Sequence, residues 1–82
     1  MNIQPGSLAL CKEQFSRRLR DALDERNVRE GQLARAIDAT PTTVSNYVNG
    51  RTLPTLHKFF AICAVLRMQP NDFFMFKFGG DA

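Results

Sequence analysis

Apolar residues recur along this chain in short stripes separated by polar punctuation. Cys11, Phe15, Leu19, Ala22 and Leu23 stand three or four positions apart, the spacing that gathers side chains on one face of an α-helix. Pro5 and Gly6 precede Ser7, a residue able to cap a helix whose first apolar position is Leu8. That helix runs to about Arg26, and Asn27, which tolerates the left-handed conformation, closes it. A second short helix reads from about Glu30 to Ile37, with Leu33, Ala34 and Ile37 inward and Asp38 at its end. Thr40-Pro41 then supplies a capping hydroxyl and a proline at the first helical position. The third helix this opens ends at Asn49-Gly50, with Val44, Tyr47 and Val48 on one face and Thr42, Ser45, Asn46 and Asn49 on the other. Pro54-Thr55 begins a fourth helix carrying Leu56, Phe59, Phe60, Ile62, Cys63, Val65 and Leu66, and Pro70-Asn71-Asp72 starts a last helical turn. The pattern predicts an all-α domain of five compact helices, with room for a short extended segment at the C-terminal end.

Length changes this picture little: 82 residues allow one small domain. Residues 1–7 read as a poorly ordered arm, 8–75 as the domain and 73–82 as an aromatic C-terminal segment. With 44% hydrophobic and 23% charged residues the composition is that of a soluble globular chain. No apolar run approaches the roughly 18–20 residues of a membrane span, so no membrane partner is expected. The opening MNIQPGSLAL lacks a basic flank and does not read as a signal peptide, which points to the cytoplasm.

Charge adds more through its placement than through its net value of +3. No acidic residue occurs from Ala39 to Asn71, where Arg51, Lys58, Arg67 and His57 stand, whereas five of the eight acids lie at or before Glu30. One stretch is thus free of negative charge, as a polyanion-binding surface requires. The arginines at 17, 18 and 20 have acids nearby and read as a solvated face.

Cys11 and Cys63 lie far apart, with no Cys-x-x-Cys and a single histidine, so neither a zinc site nor a redox motif is credible. Both sit at apolar helical positions and read as buried thiols. There is no glycine-rich phosphate loop, no nucleophile elbow and no carboxylate pair in an apolar setting. No enzyme, cofactor, metal or small-molecule ligand is expected.

Two short helices joined by a tight turn, the second uncharged and polar on its outer face, form a helix-turn-helix pattern. Residues 32–50, QLARAIDATPTTVSNYVNG, resemble the core motif of the Cro and lambda-repressor type of helix-turn-helix proteins, the XRE family. The matching features are Leu33-Ala34, Ile37, Val44-Ser45, Tyr47, Asn49-Gly50 and Pro54, and the likeness extends from about Phe15 to Phe74. Where the family has glycine at the ends of its first, second and fourth helices, this chain has Asn27, Asp38 and Arg67. Arginine enters the left-handed region least readily of the three, so the corner at Arg67 is expected to be built differently. Where the family pairs an Arg with a Glu, the corresponding positions here are Leu23 and Val48, both apolar, so no charge is stranded.

The resemblance implies a third helix lying in the major groove, with Pro41, Thr42, Thr43 and Asn46 facing base edges. Asn46 can pair with adenine, the two threonines offer hydroxyl and methyl groups, and no arginine on this helix is there to read guanine. Phosphate contacts fall to Arg29 and Gln32 at the start of the second helix and to Arg51 and Thr52 after the third, with Arg35, Asn49 and Lys58 in reserve. Phe73, Phe74, Phe76 and Phe78 crowd one short segment, and Phe74, Phe76 and Phe78 alternate as one face of an extended strand would. They are the expected homodimer interface, paired as a strand or packed as a short helix against the mate, with Phe73 or Phe74 closing the monomer core. The function so implied is a sequence-specific transcriptional regulator of phage or prophage-repressor type, bound to double-stranded DNA in a bacterial cytoplasm. An antitoxin or controller protein of a small operon uses the same domain. A helix-turn-helix reused as a protein-interaction module is the rival from another class, and the acid-free stretch favours DNA over it.

Overall fold

The computed structural model describes residues 7–73. Among these are four α-helices and no strand: α1 (Ser7–Glu25), α2 (Glu30–Ala36), α3 (Pro41–Val48) and α4 (Leu56–Leu66). The fifth expected helix is only a 3-10 turn of three residues, Pro70–Asp72. Gln69 donates its N–H to the Asp72 carboxylate at 2.8 Å, which caps so short a turn. Ser7, expected before the first helix, is its first helical residue. The proposed extended segment, with Phe74, Phe76 and Phe78, lies outside the described residues.

One aromatic cluster holds the helices together. Phe15 of α1, fully buried, has the rings of Tyr47, Phe59 and Phe73 at centroid distances of 6.4, 5.9 and 5.1 Å. Phe59 and Phe73 meet each other edge to face at 5.4 Å, so one contact set joins α1, α3, α4 and the chain after the 3-10 turn. Leu19, Leu23, Leu33, Val44, Val48, Ile62 and Leu66 complete the core. Phe73, with no exposed surface, is the phenylalanine that closes it.

All four helices stop in the same way. Asn27, Asp38, Gly50 and Arg67 have φ of 58°, 60°, 72° and 56°. In each case the next N–H reaches back five residues: Val28 to Leu23 at 2.9 Å, Ala39 to Ala34 at 2.8 Å, Arg51 to Asn46 at 2.9 Å and Met68 to Cys63 at 2.9 Å. A left-handed residue followed by this bond satisfies the last carbonyls of a helix and reverses the chain. The corner at Arg67 is therefore not built differently, contrary to the expectation from its side chain. Its cost is offset because Arg26 donates Nε–H to the Leu66 carbonyl at 2.7 Å and half-buried Met68 packs against the core. The glycine at the third corner has a second reason: a Cβ at Gly50 would stand 3.4 Å from Ser16 Oγ on α1. Ser16, buried and bonded through its hydroxyl to the Glu13 carbonyl at 3.0 Å, is what the apolar pattern of α1 did not reveal.

The apolar stripe of α4 is only partly inward. Ile62, Cys63 and Leu66 are buried, while Leu56, Phe60 and Val65 are exposed, Leu56 at 68%. Both cysteines are free; Cys63 is buried but Cys11 is only half-buried. Burial, reinforced by the Asp72 carboxylate, raises the Cys63 thiol above its ordinary range, which keeps it protonated and unreactive. No described helix is long and apolar enough to cross a membrane.

Two consequences can be measured. Arg67→Gly relieves the left-handed strain and should raise stability by about 0.5–1 kcal/mol in urea unfolding. Leu23 and Val48 share the core at 6% exposure each. Val48→Glu should therefore cost about 3–5 kcal/mol, as an unpaired buried charge does, and adding Leu23→Arg should recover part of it in the same assay.

Candidate nucleic-acid interface

The turn between α2 and α3 is four residues, Ile37 to Thr40, and both ends of it are pinned. At its exit Thr40 Oγ1 accepts the Thr43 N–H at 3.1 Å, and the two threonine hydroxyls share a hydrogen bond at 2.9 Å. Pro41 follows at the first helical position, where its missing N–H is no loss. At the entrance Lys58 of α4 donates Nζ–H to the Ile37 and Asp38 carbonyls at 2.7 and 2.9 Å. The ammonium thus sits at the negative end of α2 and satisfies two carbonyls the helix leaves over.

With Val44, Tyr47 and Val48 turned into the core, α3 presents its other side outward. Burial holds the Tyr47 phenol above its usual pKa. Pro41 and Thr42 are exposed, and Thr43, Ser45 and Asn46 are half-buried. The outer face is polar and carries no charge of its own, a surface of hydroxyl and amide groups suited to reading hydrogen-bond patterns.

The cations surround it unequally. Arg29 is the exposed residue just before α2, where its N–H donates to Gln32 Oε1 at 2.8 Å. A cation there opposes the helix dipole, and Glu30 in the first turn offsets it. The Gln32 amide keeps its N–H groups for another acceptor. Arg51 and Thr52 are exposed in the loop after α3, and Arg51 Nη1 lies 3.4 Å from Asn46 Oδ1. Arg35 is exposed and makes no side-chain hydrogen bond among the described residues. Asn49 bonds back to the Ser45 carbonyl at 2.9 Å and hydroxyl at 3.2 Å, which occupies its amide in finishing α3. Lys58, half-buried, already spends two of three donors on the turn. Its positioning role is one that sequence spacing did not disclose, because the partner carbonyls lie about twenty residues earlier. His57 is exposed beside it.

A pair of short helices at a capped four-residue turn, with an uncharged polar face on the second, is the geometry of a helix that enters a groove of DNA. Residues 18–79 match the family described as the Cro/C1-type HTH DNA-binding domain, more than half of the chain. The chain belongs to that family. No curated protein matches it. As a Cro/C1-type domain the chain is a DNA-binding regulator, and the XRE-type resemblance read from residues 32–50 is correct. Within this Cro/C1-type domain, α2 and α3 are the helix-turn-helix, and Lys58 on α4 braces the start of the turn between them.

Lys58→Met keeps the aliphatic stem and removes both clamp bonds. It should lower the unfolding free energy by about 1–3 kcal/mol, the net value of hydrogen bonds to a charged group, and speed amide exchange at Ala39. A loss confined to DNA affinity, with stability unchanged, would show that the ammonium does not brace the turn.

Proposed function

We propose that the chain is a sequence-specific repressor of phage or prophage type, acting as a homodimer on a palindromic operator in a bacterial cytoplasm. The observation that carries this reading is the uncharged, outward-facing side of α3, set within a stretch from Ala39 to Asn71 that has no acidic residue. Pro41, Thr42, Thr43 and Asn46 read base edges. Of the phosphate candidates Arg29, Gln32, Arg35, Asn49, Arg51, Thr52 and Lys58, the foremost are Arg29, Arg35 and Arg51, whose charges are exposed, while Asn49 is spent on closing α3 and Lys58 keeps a single donor. A repressor of this kind needs only to occupy its operator.

Symmetry and sequence both favour a dimer. One module spans few base pairs, and two α3 helices about 34 Å apart would read both halves of a palindrome from one side of the duplex. Phe74, Phe76 and Phe78 are the proposed contact, and a chain with this many terminal phenylalanines should sediment as a dimer at micromolar concentration. Removal of residues 76–82 should leave the helical signal intact and weaken operator binding.

Selection of sites from a random duplex pool, followed by gel shift, tests the reading directly. Asn46→Ala should cost about 1–3 kcal/mol on the selected site and relax preference at one base pair per half-site. Arg29→Ala should weaken selected and random duplexes alike and reduce the salt slope by about one per subunit. Failure of the wild-type chain to shift any duplex at low salt would point instead to a protein-interaction module.

A further inference from the structure

We propose that Arg51 is a specificity-determining residue that acts through Asn46, fixing which way its amide faces the DNA. The inference rests on the DNA-binding reading above and goes beyond it, because it gives a loop cation a part in base choice.

Two contacts join the residues. The Arg51 backbone N–H donates to the Asn46 carbonyl at 2.9 Å, as part of the left-handed corner at Gly50, and Arg51 Nη1 donates to Asn46 Oδ1 at 3.4 Å. The first contact fixes where the arginine side chain starts, within reach of Asn46, and the exposed guanidinium is held there by the second alone. Gly50 secures the corner in turn, with φ of 72° and Ser16 close beside it.

The chemistry of the pair is asymmetric. Guanidinium is donor only, so an asparagine beside it must present its oxygen to the arginine and its NH2 to the other side. A free amide would turn either end toward a base at little cost; this one is biased. The NH2 then faces the duplex as a donor, suited to N7 of a purine, O6 of guanine or O4 of thymine. The second lone pair of Oδ1 remains for an adenine N6 donor. Of the five guanidinium N–H groups, those not on Asn46 can reach a phosphate. Arg51 thereby ties backbone position to amide orientation, and a phosphate contact that draws the arginine into place also sets the reader.

Lysine separates this from a plain charge effect. It keeps the cation but, on a flexible stem that ends one bond short of the guanidinium Nη atoms, does not aim N–H donors in fixed directions at the amide and a phosphate together. Wild type, Arg51→Lys, Asn46→Ala and the double variant would be measured by gel shift on the site selected by wild type, on its single-base variants and on random duplex. On random duplex Arg51→Lys should stay within about twofold of wild type with the same salt slope, since its charge is retained. On the selected site it should lose about tenfold and lose preference at the base pair that Asn46→Ala also relaxes. The double variant should be no weaker than Asn46→Ala alone. Arg51→Lys that keeps full preference at that base pair, or losses that multiply in the double variant, would overturn the inference while leaving the DNA-binding reading in place. A wild-type chain that binds no duplex would overturn both.

Discussion

Helices as short as α2 and α3 do not persist alone in water, so this fold depends on the face each of them lays against Phe15 and its neighbours. The seven residues of α2 contribute Leu33 and Ala34, and the eight of α3 contribute Val44, Tyr47 and Val48. Nothing in their propensity would hold them at a fixed angle. Burial against α1 and α4 does, and the four repeated left-handed corners let the chain turn back to that core after each short run. The outer face of α3 is placed from the inside.

Two cations serve this economy of short elements. Arg26 closes α4 across 40 residues of sequence, and Lys58 closes α2 across about 20. Each meets the carbonyl end of a helix that is not its own, where backbone acceptors would otherwise turn to water. The net positive charge is therefore not all available to a polyanion, and the surface is organised less by how many basic residues it has than by which remain uncommitted. Arg29, Arg35 and Arg51 are the exposed ones on and beside the helix-turn-helix.

Much of this was legible in the amino-acid pattern. Thr40-Pro41 and Pro54-Thr55 announce helix starts through capping chemistry that works locally, and the spacing of Val44, Tyr47 and Val48 divides α3 correctly into inner and outer faces. Local signals fail where the partner is distant. Neither Arg26 nor Lys58 differs in its sequence surroundings from a solvated cation. Arg67 reads as a poor left-handed residue because the bond from Arg26 to the Leu66 carbonyl before it is a tertiary fact. In α4 apolar residues occupy nearly every side, so periodicity alone did not say that Leu56 and Phe60 face out while Ile62 and Leu66 face in. Pro70-Asn71-Asp72 signals a last helical turn but not its kind, which is 3-10.

The duties carried by the outer residues of α3 are uneven. Pro41 begins the helix, Thr43 shares its hydroxyl with the cap at Thr40, and Asn46 is tied to Arg51. Thr42 is exposed and makes no side-chain hydrogen bond among the described residues. A lineage that drifted toward a new target sequence would meet the least resistance there. Change at Thr42 alters what is presented without disturbing what presents it, whereas change at its neighbours must first be tolerated by the fold.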